Sequence, residues 1–384
     1  MEELVTSSQK AHYGQFKAFV ATEVEPFVEQ WDREQKHPDS IIALLAKSGY
    51  LGSTLPLKYG GKAWDFITFG LLNEALGRGS SALTDLITVQ AMVSMTLLKW
   101  GTDEQREIWL PKLARGETIG AFALTEPGAG SAIESLETKF RRIDGSNNLI
   151  LNGQKKWISY GQVAGLFLVF GNLEQKPLAC LISRGTPGLE IEPINEMLGF
   201  RAAGLAQIHF HDVEVASNNL VGKPGYALSH VAPVGLQYGR ISTACSATGL
   251  LRGCFEESIC YAGTRKIANQ TLGNIGVIQS MIARMGTDLE AARLLCYAAC
   301  RAEDEHLPES FAKTLMAKYH SSRAAVRAAA NAVQIRGASG CHESSRVARY
   351  YRDAKLMEIL EGTTQVHEHL IGKIFLDQVK TTSR

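Results

Sequence analysis

The segment Leu356–Gln365, with the sequence LMEILEGTTQ, decides how the rest of this chain is interpreted. A glycine permits a sharp change of chain direction and a following threonine can cap a helix, so Glu361-Gly362-Thr363 predicts a helix start. The apolar residues before Glu361 would desolvate its carboxylate and raise its pKa, which favours a general base. A surface glutamate before an ordinary capped helix explains the same residues, so this segment alone leaves both interpretations open.

Composition describes an ordinary globular protein. The chain has 384 residues, of which 45% are hydrophobic and 21% charged, and this length favours two or three packed units. A net charge of +1 without a basic run gives no reason to expect a nucleic-acid partner. No apolar stretch is expected to reach the ~18 residues that cross a bilayer, and residues 1–20 are unlike a secretory signal. We therefore expect a cytoplasmic protein without a membrane segment.

The cysteine and histidine patterns do not predict a metal site. Seven cysteines form no CxxC pair, which favours reduced, buried thiols over a disulfide framework or a zinc site. His367 and His369 lie two positions apart in a predicted helix, so they point to different faces and do not form a metal-binding pair.

The period of the hydrophobic pattern changes twice along the chain. Helical spacing runs through residues 1–117, with Pro26 predicted to kink or divide the first helix. Short, turn-bounded apolar segments fill residues 118–225 and predict an antiparallel β-barrel or sandwich. Long helical patterns return in residues 226–384 and predict a helical bundle. The fold class is therefore mostly α with a central β domain.

Three motifs stand out between these patterns. Leu124–Ser131 (LTEPGAGS) is a glycine-rich turn after a β segment, and a structural turn explains it as well as a ligand loop does. Gln154–Ser159 (QKKWIS) places an indole and a hydroxyl beside a strand, which a barrel-edge aromatic also explains. Gln334–Gly340 (QIRGASG) breaks an alanine-rich helix, as a plain helix–helix turn or a phosphate-binding turn would.

Taken in sequence order, these motifs closely resemble those of the acyl-CoA dehydrogenase family. The resemblance extends from Leu55–Gly61 (LPLKYGG) through Phe210–Val215 (FHDVEV) and Thr264–Lys266 (TRK) to Tyr351–Lys355 (YRDAK) and Glu361. It implies the family's fold, namely an N-terminal helical domain, a middle β domain and a C-terminal four-helix bundle. It also implies an FAD-dependent dehydrogenase of acyl thioesters.

The resemblance implies that FAD binds between the middle and last domains. The implied cofactor-binding residues are Phe122, Leu124, Thr125, Ser131, Trp157, Ser159, Arg265, Gln334, Ile335, Gly337, Ala338, Thr363 and Gln365. The first four follow the flavin, and Trp157 and Ser159 lie on its other side. Arg265 and the Gln334–Gly340 turn would hold the pyrophosphate and adenosine, partly across a subunit interface of a homodimer or homotetramer. The implied substrate-binding residues are Ser131, Tyr238, Arg240 and Gly362.

Glu361 matches the family's catalytic base. It would remove the proton α to the thioester carbonyl while hydride leaves the β carbon for flavin N5. The backbone N–H of Glu361 and a flavin hydroxyl would polarise the carbonyl. A minority of the family places the base just before the arginine that corresponds to Arg240, but here that residue is Gly239.

Local patterns narrow the resemblance further. Arg201–Gly204 (RAAG), Tyr238–Arg240 (YGR) and Asp353–Ile359 (DAKLMEI) look more like a subgroup from polyketide biosynthesis. That subgroup acts on small acyl groups held on an acyl carrier protein, as in the supply of hydroxymalonyl (methoxymalonyl) or aminomalonyl units. A conventional acyl-CoA dehydrogenase of fatty-acid or branched-chain catabolism is the alternative, and a non-catalytic scaffold is a third interpretation. The sequence does not indicate the electron acceptor.

Overall fold

The computed structural model describes residues 5–382, and its first third is helical as predicted. Its helices are α1 (Ser7–Phe19), α2 (Val28–Glu34), α3 (Asp39–Lys47), α4 (Phe66–Gly79), α5 (Ser81–Trp100) and α6 (Asp103–Ala114). The first helical stretch is divided at Pro26, as its missing N–H predicts, and a π-helical turn, Val20–Val24, precedes the break. Helix α6 begins with a capping box, in which Thr102 and Gln105 each accept a hydrogen bond from the backbone N–H of the other.

A β domain follows, with eight strands in one sheet. They are β1 (Gly120–Ala123), β2 (Lys139–Arg142), β3 (Leu149–Ile158), β4 (Leu166–Leu173), β5 (Lys176–Ser183), β6 (Leu189–Pro193), β7 (Ala206–Val215) and β8 (Leu220–Val221). The strand order is β6-β7-β3-β2-β4-β5-β8, with β1 beside β4. Most neighbours are antiparallel as predicted, but β1 and β2 each pair with β4 in parallel, so the sheet is mixed.

The last part of the described chain is mainly helical. It contains α7 (Ala232–Thr264), α8 (Gly276–Asp304), α9 (Ser310–Arg336), α10 (Arg346–Met357) and α11 (Thr364–Thr382). A short hairpin of β9 (Lys266–Ile267) and β10 (Gln270–Thr271) joins α7 to α8 and was not predicted. Helices α7, α8 and α9 pack on one another, and α10 and α11 pack against α9. Helices α4 and α5 also pack on α7, which joins the two helical regions in one core.

Helix α5 corrects one expectation about apolar stretches. Within residues 5–382 it is long and apolar enough to cross a membrane, with a mean hydropathy of 1.4 over its most apolar 18 residues. However, 89% of that window is buried inside the fold. Its apolar character therefore suits its central position among the helices.

Candidate active site

Glu361 lies in the connection between α10 and α11, in an unusual backbone conformation. Its φ of 56° is left-handed, a region that non-glycine residues seldom occupy and that costs of order 1–3 kcal/mol. Gly362 follows with φ of 102°, and a Cβ there would lie 2.9 Å from the ring of His367, so only glycine fits. Thr363 caps α11 by accepting the Val366 N–H at 3.3 Å, which confirms the predicted helix start.

The Glu361 carboxylate points at the backbone of α7. A Cβ placed on Gly239 would lie 2.2 Å from Glu361 Oε2, so the carboxylate occupies the space that any larger side chain at position 239 would need. Oε2 is buried and has no hydrogen-bond partner in the described chain. Buried carboxylate oxygens are normally satisfied, so an orphaned one at a chain turn is typical of a reactive group.

Three charged side chains set the proton affinity of this carboxylate. Burial raises the pKa of Glu361 to about 7, and repulsion from Asp85 on α5 adds to the rise. The cations of Arg240 on α7 and Lys318 on α9 oppose it. A pKa near neutrality suits a general base, because the group is available in its ionised form and still binds a proton well.

Lys318 and His367 also hold the connection in place. The fully buried Lys318 donates from Nζ to the carbonyl of Gly362 at 2.6 Å. Burial lowers the pKa of Lys318 to about 7, while Glu361 acts in the opposite direction. His367 Nδ1 lies 3.0 Å from the Thr363 carbonyl, and burial lowers the pKa of this histidine to about 4, so the ring is neutral and donates through Nδ1. The turn around Glu361 is thus fixed from α9 and from α11.

The glycine-rich turn after β1 is supported by a buried ion pair. Lys155 on β3 donates to the Leu124 carbonyl at 2.9 Å and to Glu126 at 2.7 Å, and both charged side chains are buried. Glu126 in turn accepts the N–H groups of Glu137 and Thr138, so the start of the turn is fixed on both sides. Its exposed end is open, because a Cβ on Gly128 or Gly130 would meet nothing within 4 Å.

Trp157 lies at the end of β3, and Ser159 follows the last residue of that strand. Trp157 has φ of 62° and is 48% exposed; Lys156 Nζ lies over its ring, 4.9 Å from the centroid, and the exposed part of the indole can stack on a planar ligand. Burial raises the pKa of Asp85, the carboxylate that also acts on Glu361, and the Ser159 hydroxyl opposes this rise. An exposed indole, an open glycine turn and an unpartnered carboxylate fit a flavin site, in which the turn and Trp157 would hold the flavin and the flavin would supply a hydride acceptor.

The predicted adenosine-side residues do not join this group within one chain. Arg265 ends α7, and twenty-six residues separate it from Gly239 on the same helix, which at 1.5 Å per residue is about 39 Å. The Gln334–Gly340 turn lies at that far end of α7, because Arg336 contacts Glu257 at 3.3 Å and stacks over Tyr261. One chain therefore carries two separate sets of predicted cofactor residues.

The remaining predicted residues differ in their burial and in their contacts. Phe122 and Leu124 are buried, whereas Ser131 and Gln365 are exposed. Tyr238 packs against Phe66 of α4, with ring centroids 4.8 Å apart, in an aromatic contact between helices. Arg240 by contrast lies near Glu361, with its Nε buried and unpartnered.

Sequence reasoning did not find Asp85 and Lys318. Asp85 lies in an apolar helix and Lys318 in an alanine-rich one, and each is a charged residue inside a buried segment. A buried charge is rare enough to be a signal in itself, but helical spacing alone does not show which interior it faces.

Comparison with known proteins supports a family assignment. Models of the acyl-CoA dehydrogenase N-terminal, middle and C-terminal domains match residues 6–117, 121–213 and 229–376. The short/branched chain specific acyl-CoA dehydrogenase of Bos taurus is 33% identical over 93% of this chain and 83% of its own length. Butyryl-CoA dehydrogenase from Megasphaera elsdenii superimposes with a TM-score of 0.93 at 28% identity, covering 97% of this chain and 99% of that one.

Two further solved structures have names that mention carrier-protein or polyketide chemistry. The prolyl acyl carrier protein oxidase AnaB has a TM-score of 0.92 at 26% identity, covering 97% of this chain and 99% of its own. FkbI, described for biosynthesis of the methoxymalonyl extender unit of the Fk520 polyketide immunosuppressant, has a TM-score of 0.85 at 27% identity, covering 95% and 99%. With all three domain models matched in order, the chain belongs to the acyl-CoA dehydrogenase family, whose members are FAD-dependent oxidoreductases acting on CH–CH bonds.

Proposed function

We propose that this protein dehydrogenates a small acyl thioester and that Glu361 is its catalytic base. The observation that carries the proposal is the Glu361 carboxylate, whose Oε2 is buried without a partner against Gly239. The absence of a side chain at position 239 leaves Glu361 as the carboxylate for this role. FAD, when bound, supplies the acceptor for the hydride that leaves the β carbon.

The chain's own groups account for the proton transfer. Glu361 takes the α proton at its carboxylate, and Arg240 and Lys318 stabilise the ionised form that does so. The backbone N–H of Glu361 donates to no other group in residues 5–382, so it is free to donate to the thioester carbonyl and stabilise the charge that develops there. Because Glu361 has a left-handed backbone conformation, this one residue would present both its N–H and its carboxylate to the thioester.

We further propose that the acyl group is carried by an acyl carrier protein. The likeness to AnaB and FkbI supports this, since their names refer to carrier-protein and polyketide chemistry. The test is anaerobic bleaching of the flavin by the same short acyl group presented on a carrier protein and on coenzyme A. Comparable reduction by butyryl- or octanoyl-CoA would refute the carrier-protein assignment.

Conventional acyl-CoA dehydrogenation is the second candidate. It is favoured by the names of relatives such as the bovine short/branched chain enzyme and the glutaryl-CoA dehydrogenase of Desulfococcus multivorans, which is 31% identical over 94% of both chains. In the bleaching assay this function would give turnover with coenzyme A thioesters and no advantage for the carrier protein. A preparation without flavin absorbance, even after FAD is added, would instead support a non-catalytic scaffold.

We also propose that a second copy of the chain completes each FAD site in a homodimer or homotetramer. Arg265 and the Gln334–Gly340 turn are too far from Glu361 to contact the same FAD. We therefore propose that they contact the FAD bound by a partner subunit. Arg265→Ala should weaken FAD retention while flavin that remains bound is still reduced by substrate. An Arg265→Ala variant that binds FAD as tightly as the wild type, or a monomer in solution with full FAD occupancy, would contradict the shared site.

A further inference from the structure

A small polar cavity lies near the proposed base. Its walls are Ser81, Thr84, Asp85, Thr88, Phe200, Thr243, Ser246, Met357 and Leu360. Met357 and Leu360 precede Glu361 in the chain, and Asp85 in the cavity wall acts electrostatically on the Glu361 carboxylate, so the cavity lies close to the proposed base. The polar members come from α5 and α7.

The polar side chains form matching stripes on two otherwise apolar helices. On α5, positions 81, 84, 85 and 88 share one face by their helical spacing, and on α7, positions 243 and 246 continue the face of Gly239. Both helices are almost entirely buried here, so these groups face the cavity and not bulk water.

Two hydroxyls in the cavity have no partner. The Oγ atoms of Ser81 and Ser246 are buried and without a hydrogen bond in the described chain, and their residues are 0% and 3% exposed. Thr84 and Thr88, by contrast, donate to backbone carbonyls of their own helix, at 3.1 and 3.0 Å. A buried polar group that is left without a hydrogen bond costs about 1–3 kcal/mol. The two unpartnered hydroxyls therefore favour a polar occupant for this cavity.

Asp85 gives the cavity its charge. It is 7% exposed, and burial raises its pKa to about 6, an effect that the Ser159 hydroxyl opposes. No cation pairs with it among the salt bridges of residues 5–382, whereas the buried Lys155–Glu126 pair shows how the fold satisfies a carboxylate elsewhere. An unpaired buried carboxylate is costly unless a cation joins it.

We propose that this cavity recognises an ammonium group on the substrate, so that the enzyme acts on aminoacyl thioesters. This rests on the proposed function and names its substrate class. Asp85 would pair with the ammonium, and Ser81 and Ser246 would accept its remaining hydrogen bonds. Because Met357 and Leu360 place the cavity next to Glu361, the ammonium would lie on the carbon α to the thioester carbonyl, the carbon from which Glu361 removes the proton.

The test is a binding comparison that needs no turnover. Glycyl- and acetyl-pantetheine differ by one ammonium group, and both lack a β carbon, so neither undergoes α,β-dehydrogenation. Isothermal titration of the FAD-loaded enzyme near pH 7.5 should show the glycyl thioester binding at least tenfold more tightly. Asp85→Asn should reduce this ratio to less than twofold, and Ser246→Ala should reduce it by a smaller factor.

A control removes a different buried hydroxyl, from α5, the helix that carries Asp85. Ser94 on α5 is also buried without a partner but lies outside the cavity, so Ser94→Ala should keep the wild-type ratio. Equal binding of the two thioesters by the wild type, or an unchanged ratio in Asp85→Asn, would overturn the proposal. Tighter binding of hydroxyacetyl- than of glycyl-pantetheine would also overturn it, in favour of a hydroxylated substrate.

Flavin bleaching separates this proposal from the general one. If propionyl and 2-aminopropionyl thioesters bleach the flavin equally well, dehydrogenation stands and the ammonium assignment fails. If no thioester bleaches it although glycyl-pantetheine binds preferentially, the proposed function fails and the cavity keeps its assignment as a binding site.

Discussion

Replacement of Glu361 by glutamine should abolish flavin reduction and remove a specific pH dependence of stability. The amide has the shape of the carboxylate but cannot accept the α proton, so we expect a fall of at least about 10²-fold in the rate of reduction. The stability effect follows from the raised pKa of Glu361, about 7 against 4.5. Because the folded state holds this proton more tightly, it is stabilised below pH 4.5, and that stability is lost as the pH rises through 7.

The size of the pH effect can be worked out from the same shift. Between pH 5 and pH 8 the free energy of unfolding of the wild type should fall by about 2.5 kcal/mol through this group alone. For a chain of 384 residues, an unfolding entropy of about 2.1 cal/mol/K per residue converts this to about 3 °C in Tm. The difference in Tm between wild type and Glu361→Gln, at saturating FAD, should therefore change by about 3 °C across that range.

Glu358→Gln is the control, since Glu358 lies one turn earlier and pairs with Lys355 at 2.8 Å. This variant should keep the rate of flavin reduction and the wild-type pH dependence of Tm. Glu361→Gln would refute the reasoning if it reduced the flavin at the wild-type rate. A difference in Tm that stayed constant from pH 5 to 8 would show that the pKa of Glu361 is not raised.

Three further substitutions test the surroundings of the base. Gly239→Ala would place a Cβ 2.2 Å from Glu361 Oε2, so flavin reduction should fall at least about tenfold at a nearly unchanged Tm; normal rates would contradict the contact. Lys155→Met leaves the buried Glu126 unpaired, which should cost about 3–5 kcal/mol and lower Tm by about 4–6 °C; an unchanged Tm would remove this pair from the support of the loop. Lys318→Met removes a cation that lowers the pKa of the base, so the midpoint of the rate–pH profile should move upward, and a downward shift or none would count against its role.

Much of the fold could be predicted because it depends on local periodicity. Helical spacing, proline breaks and capping residues act within a few positions, and the helical, β and helical regions appear in the predicted order. The parallel pairing of β1 and β2 with β4 could not be predicted in the same way, because strand partners are chosen by contacts between distant segments. The β9–β10 hairpin was missed since its two-residue strands are too short to show alternation.

Some features of the candidate site could likewise be predicted from the sequence, and others could not. The turn and helix start at Glu361, Gly362 and Thr363 could be predicted because a turn needs glycine and a helix start needs a cap, and both residues lie next to each other in sequence. The role of Glu361 as a base was implied only by the family resemblance. Asp85 and Lys318 act across the interior from α5 and α9, and nothing adjacent to them in sequence reveals what they face. Their influence on the base exists only once the helices are packed.

The properties of the base therefore belong to the packing of several helices as much as to Glu361. Its position is fixed by a strained backbone turn, by the Lys318 contact and by the missing side chain at Gly239. Its pKa is set by charges on α5, α7 and α9 that act in opposite directions, so neither burial nor the cations alone determine it. If Asp85 binds an ammonium group, the same carboxylate that raises the pKa of the base in the empty site would be neutralised when substrate enters. The ionised form of Glu361 would then be favoured at the moment when a proton must be removed, which couples recognition of the amine to the readiness of the base.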